Sequence, residues 1–297
     1  MKNRILPCTL VLGLGCLCAE ATDNFPVKPL SRATDLPNPR QLLVTPWYTY
    51  TRFQRYWSGH DRVSIETMNT DDFELNNGMI HLDYGIQRDL ALDLTLGYTS
   101  AATRFVDAGR EPRTTQGLMD VTLGVRYVLV DETRHDNPWL PTVGVRAGAI
   151  IQGTYTSNYP FAPGGGASGF EPSLLLHKRI GKSGFGLYGD LGFRWRNHDV
   201  PTQLLATIGL FQDICSFTLN LAYKHTESLS GGDLSGRGPA IVYSPRVKEN
   251  NQILEAGVRF TDKGGRQYQF YVDWNVEGRN TGEKLTYGLF LTWPFGI

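Results

Sequence analysis

The run Leu90-Ala91-Leu92-Asp93-Leu94-Thr95-Leu96-Gly97-Tyr98 decides how this chain is read. Leucine or tyrosine takes every other place from Leu90 on, and small or polar groups fill the places between. A period of two puts the two sets on opposite faces of a strand, one apolar and one polar. The pattern returns in Met119/Val121/Leu123/Val125/Tyr127/Leu129, set against Asp120, Thr122, Gly124 and Arg126. Phe185/Leu187/Leu191/Phe193/Trp195 stand against Tyr188, Asp190, Arg194 and Arg196. Further on, Tyr268/Phe270/Val272/Trp274/Val276 oppose Gln269, Tyr271, Asp273, Asn275 and Glu277, and Leu285/Tyr287/Leu289/Leu291/Trp293/Phe295 repeat the stripe.

About twelve such segments start near residues 43, 74, 90, 118, 140, 169, 184, 203, 216, 252, 267 and 284. Each is roughly 10 to 14 residues long, enough for a tilted strand to cross an outer membrane. A soluble sandwich also alternates, but its strands average about 5 to 6 residues and its inner faces pack dry. Here the polar face carries Asp93, Arg126, Glu171, Arg194 and Asp273, which a dry core would reject. The expected fold is all-β, an up-and-down antiparallel transmembrane β-barrel of about 12 strands over residues 42–297. Closing the ring also removes the edge strands whose amides would otherwise lack partners in lipid.

The connections alternate in the way such barrels do, short turns at one end and longer loops at the other. Short ones fall near Gln87–Asp89, Gly181–Gly184, Gln212–Cys215 and Asp262–Arg266, with a longer one near Asp131–Trp139. Between them lie Ser58–Asp72, Ser100–Gly117, Thr156–Ser168 and Thr226–Asn251, and the briefer Asn197–Pro201 and Gly278–Gly282. With the short turns periplasmic, Trp47, Trp139 and Trp293 fall near that end, while Trp57, Trp195 and Trp274 fall toward the outside. An indole has an apolar body and an N–H donor, so these six are expected to form two aromatic girdles at the lipid boundaries.

Residues 1–21 have the layout of a secretory signal: Lys2 and Arg4, an apolar stretch from Ile5 to Cys18, then Ala19-Glu20-Ala21. Lipoprotein processing at Cys16 or Cys18 is the rival reading, and Gly13 and Gly15 stand where leucine is usual. Residues 22–41, with Pro26, Pro29, Pro37 and Pro39, read as an extended periplasmic lead-in. Cys8, Cys16 and Cys18 leave with the signal, so Cys215 has no disulfide partner. Removing Lys2, Arg4 and Glu20 takes the basic count from 29 to 27 and the acidic count from 29 to 28. That near-neutral balance implies no nucleic-acid partner. No stretch past the signal approaches the roughly 20 apolar residues of a helical span. The 33 Gly, 14 Tyr, 14 Phe and 6 Trp suit strands better than helices.

Few motifs point to chemistry. Gly181-Lys182-Ser183 resembles the tail of a phosphate loop, but Leu176 occupies the leading glycine position and no helix is expected after it. Gly164-Gly165-Gly166 lies in a long loop and reads as flexible connection. No Gly-x-Ser-x-Gly elbow and no metal-ligand spacing appears, so no cofactor, metal or catalytic residue is expected. His81 and His177 face inward by alternation, and a barrel phospholipase using one of them with Ser173 is the alternative to a polar lumen network.

The inward charges are Asp83, Asp93, Asp120, Arg126, Glu171, Arg179, Asp190, Arg194, Arg196, Lys224, Glu255, Arg259, Asp273 and Glu277. Both signs occur in similar numbers, so pairing across strands is expected, without steep ion selectivity. Eight strands give a filled interior and sixteen an open channel, so about twelve predict a narrow lumen. Tyr188, Tyr271 and the long loops are its expected constrictions, with Tyr159, Phe161 and Tyr243 at the mouth.

The segment Gly117-Leu118-Met119-Asp120-Val121-Thr122-Leu123-Gly124-Val125-Arg126-Tyr127, preceded by the Leu90 strand, resembles the outer-membrane proteins linked to the meta-cleavage pathway of phenol degradation. The strand around Trp47-Tyr48-Thr49-Tyr50 is similar in character to theirs. That resemblance implies a barrel admitting aromatic or other hydrophobic small molecules, and carries over no catalytic residues. The expected function is a narrow passive channel for small solutes in the bacterial outer membrane, with membrane lipid as its surroundings. A structural or adhesive surface barrel, or a phospholipase-like enzyme, is the alternative.

Overall fold

The computed structural model describes residues 34–68, 70–105, 113–157, 164–232 and 247–296. Residues 1–21, read above as a signal, most of the expected lead-in, and Tyr159, Phe161 and Tyr243 lie outside the described residues.

The wall consists of β1 (Gln41–Phe53), β2 (Thr70–Gln87), β3 (Leu90–Phe105), β4 (Val121–Val130), β5 (Thr142–Ile151) and β6 (Gly169–Arg179). It continues through β7 (Phe185–Arg196), β8 (Gln203–Ile214), β9 (Phe217–Ser228), β10 (Asn250–Thr261), β11 (Gln267–Arg279) and β12 (Leu285–Gly296). A short piece, Arg113–Leu118, precedes β4 and runs along the same partner, β3, so the two share one position in the wall. Every strand pairs antiparallel with its sequence neighbours, and β1 pairs with both β2 and β12. The result is a closed barrel of 12 strands.

Alternation decides which side chain faces where. Leu92, Leu96, Leu123, Val125, Leu191, Leu221 and Leu289 are exposed on the outside, while Asp93, Thr122, Arg194 and Asn220 are buried inside. This is the reverse of a soluble protein, whose apolar sets lie within. The outer stripe leaves water only if something other than water covers it. Part of the interior is apolar too. One cluster is Trp47, Met79, Met119, Tyr271 and Phe290; the other, toward the long loops, is Phe53, Ile65, Phe73, Leu75 and Ala101.

Short turns occupy one end. Arg88-Asp89 joins β2 to β3, Cys215-Ser216 joins β8 to β9 with Cys215 at φ 54°, and Ile180–Gly184 joins β6 to β7. Residues 131–141 are longer and hold a 3-10 turn, Glu132–Arg134, capped by Asp131. At the other end, Arg55–Ser58 and Asp61–Ser64 form a small hairpin folded over the mouth, where the Trp57 amide donates to the Thr281 carbonyl at 2.7 Å.

Five placements differ from the sequence reading. Met119 points inward beside Asp120, because regular pairing lapses at these two residues and both side chains turn into the barrel. Glu277 is exposed: the register shifts between Gln252 and Ile253 insert one extra residue in β11, and beyond it the faces exchange. Arg179 keeps the inward parity but ends its strand beyond the wall, exposed and paired with Asp213 at 2.8 Å. Trp47 shares the face of Thr45, Thr49 and Thr51 and is buried inside. Trp57, in the mouth hairpin, is buried against Gly278. Neither tryptophan belongs to a girdle.

Candidate functional site

Within the wall, the interior face gathers the polar chemistry. Its charged part is a ladder of alternating sign that crosses six adjacent strands. His81 Nε2 on β2 lies 3.0 Å from Asp83, and His81 Nδ1 lies 2.7 Å from the Thr95 hydroxyl. Arg126 on β4 donates to Asp83, and its Nε stands 3.6 Å from Asp93 on β3. Arg146 on β5 donates to Asp93 at 2.6 Å and reaches Glu171 on β6 at 3.9 Å. Arg194 on β7, fully buried, donates its Nε to Glu171 at 2.6 Å and Nη1 to Gln203 at 3.2 Å. Asp93 and Glu171 each lie between two arginines and Asp83 between Arg126 and the His81 ring, which is how buried charge offsets its desolvation cost.

A second group stands across the lumen. Lys224 on β9 is 2.8 Å from both Glu255 and Asp273, and its ammonium lies 5.9 Å from the Tyr271 ring. Asn220 donates to Glu255 at 2.9 Å. Between the groups, Tyr188 is hydrogen-bonded to Asn220, and Asp190 to Thr207. Tyr188 and Tyr271 lie flat across glycines of the next strand: a Cβ on Gly209 would overlap the Tyr188 ring, and one on Gly288 the Tyr271 ring. Only a residue without Cβ lets a ring lie down in this way, so these tyrosines narrow the bore less than their length suggests.

His177 sits near the short-turn end, stacked on Phe211 with ring centroids 5.3 Å apart and its Nδ1 3.2 Å from Glu132. Ser173 is four residues away on the same strand, about 13 Å along it. No hydrogen bond joins them directly at that distance. Here a cavity of about 300 Å³ is lined by Thr34–Pro39, Arg88, Asp89, Glu132, Arg134, His177 and Arg179 among others.

Asp120 lies toward the long loops, where the wall strand lapses. Arg196 Nη1 donates to it at 3.0 Å, the Tyr155 hydroxyl at 3.0 Å and the Gly153 amide at 3.0 Å. Burial and the charge of Asp120 push the Tyr155 hydroxyl above its ordinary range, so it stays protonated and donates.

Twelve residues read as lumen-lining thus sort as follows. His81, Asp83, Asp93, Arg126, Glu171 and Arg194 form the ladder; Asp120 and His177 mark its two ends; Tyr188, Asp190, Tyr271 and Asp273 face them. Of the tryptophans, Trp195, Trp274 and Trp293 lie on the outer face, and Trp195 packs against Phe170 at 5.6 Å. Trp139 is 87% exposed in the 131–141 turn. Sequence reasoning missed Arg146, the central cation, although Gly144, Arg146 and Gly148 share one parity against Val143 and Val145. It also missed Trp47, whose threonine neighbours give its face away.

No family model matches the sequence, and no characterised protein matches it. Solved structures do. An outer membrane channel from Pseudomonas putida F1 superposes with a TM-score of 0.70 at 14% identity, covering 91% of this chain and 100% of that one. The transport unit of the autotransporter AIDA-I from Escherichia coli gives 0.51 at 9% identity, covering 93% and 95%. At such identities the likeness establishes the fold: this chain has the architecture of a membrane-spanning β-barrel.

Proposed function

We propose that the chain is a bacterial outer-membrane protein that acts as a narrow passive channel for small solutes, with its short turns in the periplasm. The observation that carries this reading is the inverted wall: an apolar exterior around the full ring, enclosing an interior of paired charges, amides and hydroxyls. Such a wall is stable in lipid and leaves water-compatible groups along the axis. No catalytic step is assigned, because the inward histidines contact Thr95, Asp83 and Glu132 and Ser173 stands about 13 Å along the strand from His177.

The interior also suggests the solute. Beside the charged ladder the interior carries an aromatic cluster of Trp47, Tyr271 and Phe290, so it is not uniformly polar. This supports small hydrophobic or aromatic solutes, as does the resemblance around Gly117–Tyr127. Purified protein in planar bilayers and in solute-swelling vesicles tests the reading. Stepwise conductance with faster entry of small aromatics is expected; a folded protein that passes neither current nor solute defeats it.

A further inference from the structure

The mouth hairpin is seated inside the ring as well as over it. Its second strand runs into a 3-10 turn, Ile65–Met68, and Ile65 is 1% exposed. That side chain packs among Phe53 of β1, Phe73 and Leu75 of β2 and Ala101 of β3, which share the inward parity of Thr51, Asn77 and Thr99. At this level the wall's pattern inverts. Phe53, Phe73 and Leu75 face in, while Tyr50, Arg52, Glu74 and Asn76 face out, and the Tyr50 hydroxyl donates to Glu74 at 3.2 Å. A polar outside around an apolar inside is the arrangement of a wall in water. This section therefore stands clear of the hydrocarbon, and Ile65 fills the apolar recess within it.

The connection between β11 and β12 holds the hairpin from the other side. The Glu283 amide donates to the Arg55 carbonyl at 2.8 Å, the Gly59 amide to Asn280 Oδ1 at 2.7 Å and the Asn280 amide to the Gly59 carbonyl at 3.3 Å. Trp57 adds its bond to Thr281, and its ring lies so close to Gly278 of β11 that a Cβ there would overlap it. Arg62 pairs with Glu283, an exposed contact that adds little. The segment thus reaches from β11 on one side of β1 to β3 on the other, with Ile65 on the lumen side. We propose that this hairpin is a seated gate: Ile65 in its recess and the bonds to the β11–β12 connection keep it within the mouth, and passage widens when Ile65 leaves the recess. The inference rests on the channel reading above.

Ile65→Asp puts a carboxylate into the recess, where it has no partner and is driven out. In bilayers single-channel conductance is expected to rise at least about twofold, since bore governs passage. A second measurement reads the seat without current. Ile65→Cys in a Cys215→Ser background is labelled with maleimide in the folded barrel, beside His60→Cys at the exposed tip of the hairpin in the same background. The thiol at position 65 is expected to react at least roughly tenfold more slowly, since a buried thiol reacts only through local opening. Equal labelling rates overturn the seat and the gate with it. A conducting wild type whose Ile65→Asp variant conducts no better overturns the gate and leaves the channel standing. Current from the variant alone supports both. Neither current nor solute flux from wild type or variant defeats the channel reading, and the gate falls with it, whatever the labelling shows of the seat.

Discussion

Trp47 stacks on Phe290 inside the barrel, ring centroids 4.7 Å apart and planes 25° from parallel. The two belong to β1 and β12, so this contact lies on the seam where the ring closes. Tyr271 packs on the far side of Phe290 at 5.3 Å, extending the aromatic row to β11.

Truncating Trp47 to Ala removes one end of that row from a buried site. A loss of about 3 to 5 kcal/mol is expected, as for other buried aromatics. Urea unfolding of vesicle-inserted protein, followed by heat-modifiable gel migration, measures it. Trp47→Phe keeps a ring on Phe290 and is expected to recover more than half the loss; an Ala variant as stable as wild type would refute the buried placement.

Arg146 joins two carboxylates of the ladder. Arg146→Met leaves Asp93 with the more distant Arg126 and deprives Glu171 of one neighbour, an expected cost of about 3 to 5 kcal/mol. Adding Asp93→Asn to Arg146→Met is expected to return part of that, since the unpaired charge disappears. A double-mutant cycle with no coupling between the two positions would sever the ladder as drawn.

The outer face makes the opposite demand. Leu191 lies midway along β7 and is 50% exposed. Leu191→Arg is expected to destabilise the inserted barrel by about 2 to 4 kcal/mol, as arginine does at a bilayer midplane. Thr122→Arg would be a poor control because that side is packed; Arg62, exposed at the mouth, serves instead, and Arg62→Ala is expected to be nearly neutral. Equal stability of Leu191→Arg and wild type would show that this surface does not face lipid.

Much of this was open to inspection in the sequence because alternation is local. Nine residues from Leu90 to Tyr98 suffice to separate an outer from an inner face, and His81, Asp93, Arg126 and Arg194 follow by counting in twos. Counting fails where pairing slips. A single extra residue in β11 reverses the face of Glu277, and the lapse at Met119 turns a residue of the outer stripe inward. Trp47 is a different case, for its parity with Thr49 and Thr51 was legible and its residue type misled: an indole suits a lipid boundary but stacks equally well in a core. The surroundings of Asp120 were beyond reach. Asp120 meets Tyr155 and Arg196 across 35 and 76 residues of chain, and no local period encodes such a meeting.

The pairing of β1 with β12 runs from Gln41 opposite Gly296 to Arg52 opposite Leu285. It asks the earliest wall segment to wait for the latest one. Until β12 is in place, β1 and β11 each present a row of bare amides and carbonyls, and no shorter subset of strands forms a finished cylinder. Assembly is therefore all or nothing: the two margins vanish together, and only when the last strand meets the first.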